Sequence, residues 1–150
     1  MIKFTCKHFN RLNKAELYEI MQLRQEIFIV EQNCPYLDND GKDLNGWHLL
    51  GRNETGKIVV YTRLLPVGIS YFGYSSIGRV VAHKSVRGTG AAQLLMTESI
   101  KRLKRFCPDD KIKIGAQAYL KRFYEAFNFQ QSGDIYDEDG IPHIPMILRD

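Results

Sequence analysis

The stretch VVAHKSVRGTGAAQLLMTESIKRLKRF, Val80 to Phe106, constrains the fold more than any other part of the chain. An apolar strand runs through Arg87-Gly88-Thr89-Gly90-Ala91-Ala92 directly into a helix. A helix start carries unsatisfied N–H groups and the positive end of the macrodipole, so it receives anions, phosphate above all. Gly88 and Gly90 remove the Cβ atoms that would hold a phosphate away from the backbone, and Arg87 adds a charge. There is no G-x-x-x-x-G-K-[ST] and no G-x-G-x-x-G, which argues against a nucleoside triphosphatase or a Rossmann dehydrogenase. The glycine spacing alone is equally compatible with a plain turn from strand to helix.

Around this turn the chain alternates strands and helices. An opening strand spans Lys3 to His8. Asn13 followed by Glu16 forms a capping-box signature ahead of Leu17, Ile20, Met21, Ile27 and Phe28, which predicts a helix over Lys14 to Glu31. Gln32 to Gly46 is turn chemistry throughout and reads as a loop long enough to be functional. HLLGR and KIVVYTRLL flank Asn53-Glu54-Thr55-Gly56, a hairpin signature. SSIGRVVAH is a further strand. In the helix that follows the glycine turn, Ala92, Leu95, Met96, Ser99, Ile100, Leu103 and Phe106 share one face. KIKIGAQA reads as a short strand, YLKRFYEAF as a short helix, and IPHIPMIL as the closing strand segment. The pattern predicts an α/β or α+β layer fold, a mixed sheet flanked by helices, in one domain over residues 1–150.

Composition narrows the function classes. The net charge of +4 suits an acidic or phosphorylated ligand but is common on ordinary surfaces. Cys6, Cys34 and Cys107 form no C-x-x-C pair, so a reducing, cytoplasmic setting is expected, with no metal site. MIKFTCKHFNRL has no signal-peptide h-region and no apolar run reaches the ~18 residues of a membrane span. The segment DNDGKD, Asp38 to Asp43, lacks the EF-hand positions for calcium. Its carboxylates and those of Asp137-Glu138-Asp139-Gly140 are expected instead to line an acceptor site and attract a cationic amine. The basic run Lys101 to Arg105 raises nucleic-acid binding as a rival class, disfavoured because no aromatic stacking set accompanies it.

Arg87-x-x-Gly90-x-Ala92 at a helix start resembles the Arg/Gln-x-x-Gly-x-Gly/Ala motif of the GNAT superfamily of acyl-CoA N-acyltransferases. FYEAFNF, Phe123 to Phe129, resembles that superfamily's later Phe-Tyr-x-x-x-Gly-Phe block, with Asn128 in the glycine position. Asn also tolerates the left-handed C-cap conformation. With LRQEIFIVEQNCPYLDNDGKDL and DEDGIPHIPM added, the chain is similar to the ElaA-like branch over nearly its whole length.

The resemblance implies a sheet splayed near its middle, acetyl-CoA or another acyl-CoA as co-substrate, and a small-molecule or peptide amine as acceptor. It also makes a homodimer plausible. It implies that Arg87, Gly88, Thr89, Gly90, Ala91 and Ala92 hold the pyrophosphate, and that Arg79, Val80 and Val81 pair with pantetheine, with Gly78 marking a bulge. Gln117 joins the coenzyme site by the same resemblance. Tyr124 takes the role of general acid toward the departing thiolate. Glu31 and His143 are the candidate bases; His48 and His83 read as satisfied structural histidines, and Cys34 has no argued partner. A catalytically inactive acyl-CoA sensor would share the binding features.

Overall fold

The capping box forms as its spacing predicts. In the computed structural model, which describes residues 1–150, Glu16 N–H donates to Asn13 Oδ1 at 2.7 Å and Asn13 N–H to Glu16 Oε1 at 2.9 Å. Lys7 on the first strand, β1 (Lys3–His8), pairs with the same glutamate at 2.8 Å, which fixes the angle of the helix against the sheet. Helix α1 covers Lys14–Arg24 and then widens into a π-helical segment, Gln25–Glu31. The periodicity predicted the full span as one helix, but could not reveal the change of winding. The i→i+5 bonds from Gln32 N–H to Ile27 O (3.1 Å) and Cys34 N–H to Ile29 O (3.2 Å) end it.

The remaining elements are β2 (Trp47–Arg52), β3 (Ile58–Leu65), β4 (Ser75–Ala82), α2 (Ala91–Phe106), β5 (Ile112–Gln117), α3 (Lys121–Glu125), β6 (Phe129–Gln131), β7 (Tyr136–Glu138) and β8 (Ile141–Leu148). All eight strands join one sheet in the order β1-β2-β3-β4-β5-β8-β6, with β7 also paired to β8. The Asn53–Gly56 turn works as expected: Asn53 Oδ1 accepts from the N–H groups of Thr55 and Lys57, and Gly56 supplies φ 87°. The two short strands β6 and β7 are absent from the sequence reading, which treated Asp137–Gly140 as a turn alone. Asp139 (φ 53°) and Gly140 (φ 79°) form a two-residue loop between paired Glu138 and Ile141. Two successive positive φ values are the requirement of a type I′ hairpin.

Strand β3 is buried along its whole length because helices cover both of its faces. Tyr61 faces α1 with Leu50, Ile58 and Val81, against Ile20, Leu23, Ile27 and Phe28. Val60 and Leu49 face α2, against Ala91 and Leu95. Ala91, not Ala92, is the helix residue committed to this core. The larger cluster beneath α2 and α3 joins Met96 and Leu103 to Ile112, Ile114, Ile144 and Met146. The basic run lies on the outer face of α2, where Lys101 and Arg102 sit 4.0 and 3.2 Å from Glu98 and Lys104 sits 3.1 Å from Asp150.

Two backbone departures shape the middle of the sheet. Strands β4 and β5 run parallel and pair only at Ser75↔Ile112 and Ser76↔Lys113, so Gly78 to Ala82 face no partner on that side. On the other side the register shifts between Arg63↔Gly78 and Tyr61↔Val81, leaving Arg79 and Val80 as the bulge. The expectation placed the bulge mark on Gly78. The positive φ falls instead on Arg79, at 51°, a conformation that costs a non-glycine residue about 1 kcal/mol or more and so must be held by its contacts.

Buried Arg24 anchors the loop after α1: its Nε lies 2.8 Å from Asp38 Oδ2 and its Nη1 2.7 Å from Asp43 Oδ1. Arg24→Ala would leave both carboxylates enclosed and short of a cation. The expected loss is about 3–5 kcal/mol of unfolding free energy, read from the urea midpoint at constant slope. A loss below about 1 kcal/mol would show that the loop is not fastened through this side chain.

Candidate functional site

The divergence of β4 from β5 opens a cavity of about 820 Å³. The α1 extension, the Gln32–Gly46 loop, the α2 start, α3 and the β7–β8 hairpin close around it. Glu31, Arg79, Val80, Arg87, Ala92, Gln117, Tyr124 and His143 all line this one space. Val81 does not, because strand alternation turns its side chain into the core against α1. Ala91 is likewise core, and Gly88, Thr89 and Gly90 are exposed at the turn itself.

The turn is built for close approach. Gly88 and Gly90 have φ 77° and 87°, and a Cβ added at either would meet nothing within 4 Å. The space in front of the α2 N–H groups is open, so an anion can reach the backbone there. Thr89 Oγ1 donates to Val86 O, which fastens the turn from inside. Arg87 donates from Nε to Ala82 O at 3.1 Å and places Nη1 2.5 Å from Glu31 Oε1. The candidate base Glu31 is therefore paired with the candidate phosphate arginine. The π-helical widening carries Glu31 to this position.

Tyr124 is held edge-on by Phe123 and Phe129, with ring centroids 5.1 and 6.1 Å away. Burial, reinforced by Tyr119, raises its pKa well above the usual phenol value. The hydroxyl keeps its proton throughout the neutral and mildly alkaline range. Asn128 caps the segment behind it at φ 72°, the left-handed conformation expected for that position. His143, on β8 opposite Gln117, lies within 2.7 Å of Ile141 O through Nδ1. A carbonyl can only accept, so Nδ1 carries the hydrogen, and Nε2 lies 3.4 Å from Glu138 Oε2. Gln117 Nε2 reaches Gln32 Oε1 at 3.4 Å, and Cys34 Sγ reaches Asp139 O at 3.1 Å; both tie the loop to the sheet end.

His48 and His83 are occupied in the fold. His48 bonds to Tyr61 OH (2.7 Å) and Asp43 O (3.0 Å), and burial lowers its pKa despite the nearby Asp43. His83 caps the short turn at Ser85 and bonds to Glu26.

The largest departure from expectation concerns the acidic loop. Its carboxylates do not stand free above the cavity. Arg63 binds Asp40 at 2.8 Å and Asp43 at 2.9 Å, and Arg79 places Nε 2.8 Å from Asp38 Oδ1 and Nη2 3.3 Å from Asp40 Oδ2. With Arg24 these groups make a network of three arginines and three aspartates. Tyr36 lies under the Arg79 guanidinium at 5.8 Å, and burial, opposed by Arg79, raises its hydroxyl pKa to about 12. The network holds the Arg79 bulge in its positive φ. Sequence reasoning missed Arg24, Arg63 and Tyr36, although an arginine at the apolar spacing of a helix and another inside VVYTRLL were a usable signal: a buried charge demands partners.

Residues 42–149 match the family described as an acetyltransferase (GNAT) domain. The chain is 40% identical over 149 residues to Protein ElaA of Escherichia coli, covering 97% of this chain and 95% of that one. The crystal structure of Escherichia coli ElaA superimposes with a TM-score of 0.92 at 38% identity, covering 99% of this chain and 100% of that one. A crystal structure of an acyl-CoA N-acyltransferase from Pseudomonas aeruginosa gives a TM-score of 0.92 at 37% identity, with the same coverage.

Burial disfavours ionisation of Asp40, yet the Arg63 bond and charge prevail and hold it near pKa 2; Asp43 is lowered in the same way by Arg24 and Arg63. Both pKa values lie below those of the unfolded chain. Their stabilisation is therefore complete above about pH 4 and is lost as pH falls toward 2. Urea unfolding at pH 6, 4 and 3 should show the loss below pH 4, and Asp40→Asn should flatten it. An identical acid slope in wild type and Asp40→Asn would refute the assignment.

Proposed function

Because the chain belongs to the GNAT family of acetyltransferases, we propose that it moves the acetyl group of acetyl-CoA onto an amine by direct attack, with donor and acceptor bound together. The observation that carries this reading is the continuity of one cavity. It runs from Arg87 at the α2 start, along the unpaired edge of β4, to Tyr124 and His143.

In this reading Arg87 and the N–H groups from Gly88 to Ala92 receive the pyrophosphate. Open space at both glycine positions fits that use. Arg87 then exchanges Glu31 for phosphate. The free edge between Gly78 and Ala82 offers backbone groups to the amides of the pantetheine arm, as in strand addition. A backbone N–H near the Arg79–Val80 bulge would face the thioester oxygen as charge grows on it.

The acceptor nitrogen must lose a proton as the new N–C bond forms. His143 is taken as the base, with Glu138 Oε2 3.4 Å from Nε2 to face the imidazolium that forms, whereas Glu31, released when Arg87 turns to phosphate, stays at the coenzyme end. The Tyr124 hydroxyl donates its proton to the sulfur as the C–S bond breaks. Burial keeps this donor protonated at the working pH and makes it a weaker acid, so its proton moves only as negative charge develops on the sulfur. The amine is a small molecule or a peptide terminus or side chain.

Two substitutions separate binding from chemistry. Gly90→Val introduces a side chain where no protein atom lies within 4 Å, so its folding cost is confined to the strain of φ 87°, about 1–2 kcal/mol. Calorimetric titration with CoA should show affinity falling about 10-fold or more, since the side chain occupies the anion's approach. Equal affinity in a folded variant would remove the turn from the coenzyme site.

Tyr124→Phe should keep CoA affinity and lower kcat by about 10²- to 10⁴-fold. Because burial raises the tyrosine pKa, the wild-type rate should show no loss traceable to this hydroxyl below about pH 10. A Phe variant with wild-type kcat would leave an acyl-CoA-binding protein whose turnover, if any, does not use Tyr124.

A further inference from the structure

Lys42 differs from every other cation on the cavity wall. Arg63 is bonded to Asp40 and Asp43, Arg79 to Asp38 and Asp40, and Arg87 to Glu31. The half-buried Lys42 ammonium has a neutral partner, donating from Nζ to Ser70 Oγ at 3.2 Å. The neighbouring acids are engaged elsewhere: Asp43 Oδ1 accepts from Arg24 and Arg63, and Asp40 Oδ1 from the Lys42 backbone N–H and from Arg63. Lys42 therefore presents a charge to the cavity that no carboxylate of the protein neutralises.

Its position gives that charge a meaning. Ser70 lies in the connection between β3 and β4, at the end of β4 that begins with Ser75 and Ser76, and both Ser70 and Ser76 line the cavity. Arg87 follows the other end of the same strand. The six residue steps from Ser76 to Ala82 span about 20 Å at strand rise. The cavity thus has a cation at each extreme. The one at the α2 start belongs to the donor; Lys42 lies beyond the unpaired segment, where an acceptor must enter. The β7–β8 hairpin supplies Glu138 and Asp139 to the same wall, and both are exposed.

We infer that the acceptor is an amine that also carries a carboxylate: Lys42 and Ser70 receive the carboxylate, while the amino group faces His143 and the hairpin carboxylates. The inference rests on the N-acyl transfer reading above. One ammonium and one hydroxyl match a monoanion. A phosphate would draw on a bidentate arginine or a row of N–H groups, as at the α2 start. This modifies the sequence-based expectation of a cationic amine drawn by two acidic loops: the carboxylates of Asp38, Asp40 and Asp43 are taken by Arg24, Arg63 and Arg79, and those of the hairpin remain for the amino group.

The test uses the whole chain, acetyl-CoA and free-thiol release. The acceptors are a panel of α- and ω-amino acids, each paired with its primary amide, its decarboxylated amine and its aminophosphonic acid. The carboxylate member of the best-used set should exceed its amide about 10-fold in kcat/KM, the factor carried by one charge-assisted bond. Lys42→Gln should bring that ratio close to one, and Lys42→Arg should restore most of it. CoA affinity measured on both variants establishes that they are folded. Preferred turnover of the amide, the amine or the phosphonate, or a ratio unmoved by Lys42→Gln, overturns the role of Lys42 while leaving acyl transfer standing. Acetyl-CoA binding without thiol release from any member of the panel overturns the transfer reading and this inference with it.

Discussion

Backbone pairing between β4 and β5 stops after Ser76, and the rest of the molecule is organised around the hydrogen-bonding groups left open beyond it. An unpaired strand edge inside a sheet is costly and invites the wrong partner. Here the π-helical end of α1, the Gln32–Gly46 loop, α3 and the β7–β8 hairpin enclose it, so the edge faces a cavity of about 820 Å³ instead of bulk solvent. The same divergence sets the α2 start at one end of the opening and the β3–β4 connection at the other. In the proposed function this separates donor chemistry from acceptor entry along a single strand.

The bulge that directs this edge is kept in place by charge. Arg79 adopts a positive φ that its side chain does not favour, and Asp38 and Asp40 grip its guanidinium. Those aspartates belong to a loop that is itself fastened by Arg24 from α1 and Arg63 from β3. Three positive and three negative groups leave the network without net charge, which is how ionised groups can be enclosed at all. The consequence is a rigid wall with little field of its own. Against it the Lys42 ammonium, bonded to neutral Ser70, becomes the distinguishing charge at that end of the cavity.

Much of the fold was legible because local chemistry announces itself. Asn13 with Glu16 and the Asn53–Gly56 turn satisfy backbone groups through neighbours in sequence, and the glycine turn before α2 marks a helix start left uncapped. The β7–β8 hairpin was equally local, with Asp139-Gly140 supplying two positive φ values, but Tyr136 to Glu138 lacks the apolar alternation that marks a strand and was passed over. The bulge was displaced by one residue for a different reason. Glycine is the residue that adopts positive φ cheaply, so Gly78 drew the assignment, whereas the register with β3 and contacts from a distant loop impose it on Arg79.

The chain's own order of residues decided the helix caps, the turns, the apolar faces and the resemblance from which a coenzyme role is proposed for Arg87, Gly90 and Tyr124. These depend on interactions within a few residues or on motifs that travel together. Only the tertiary structure decided which charges remain available. Asp38, Asp40 and Asp43 read as free acids until Arg24, Arg63 and Arg79, from 14 to 41 positions away, are seen to occupy them. Glu31 reads as a free base until the π-helical turn sets it against Arg87. An ionised side chain is defined by its partners, and partners supplied by packing across a sheet leave no mark on the sequence nearby.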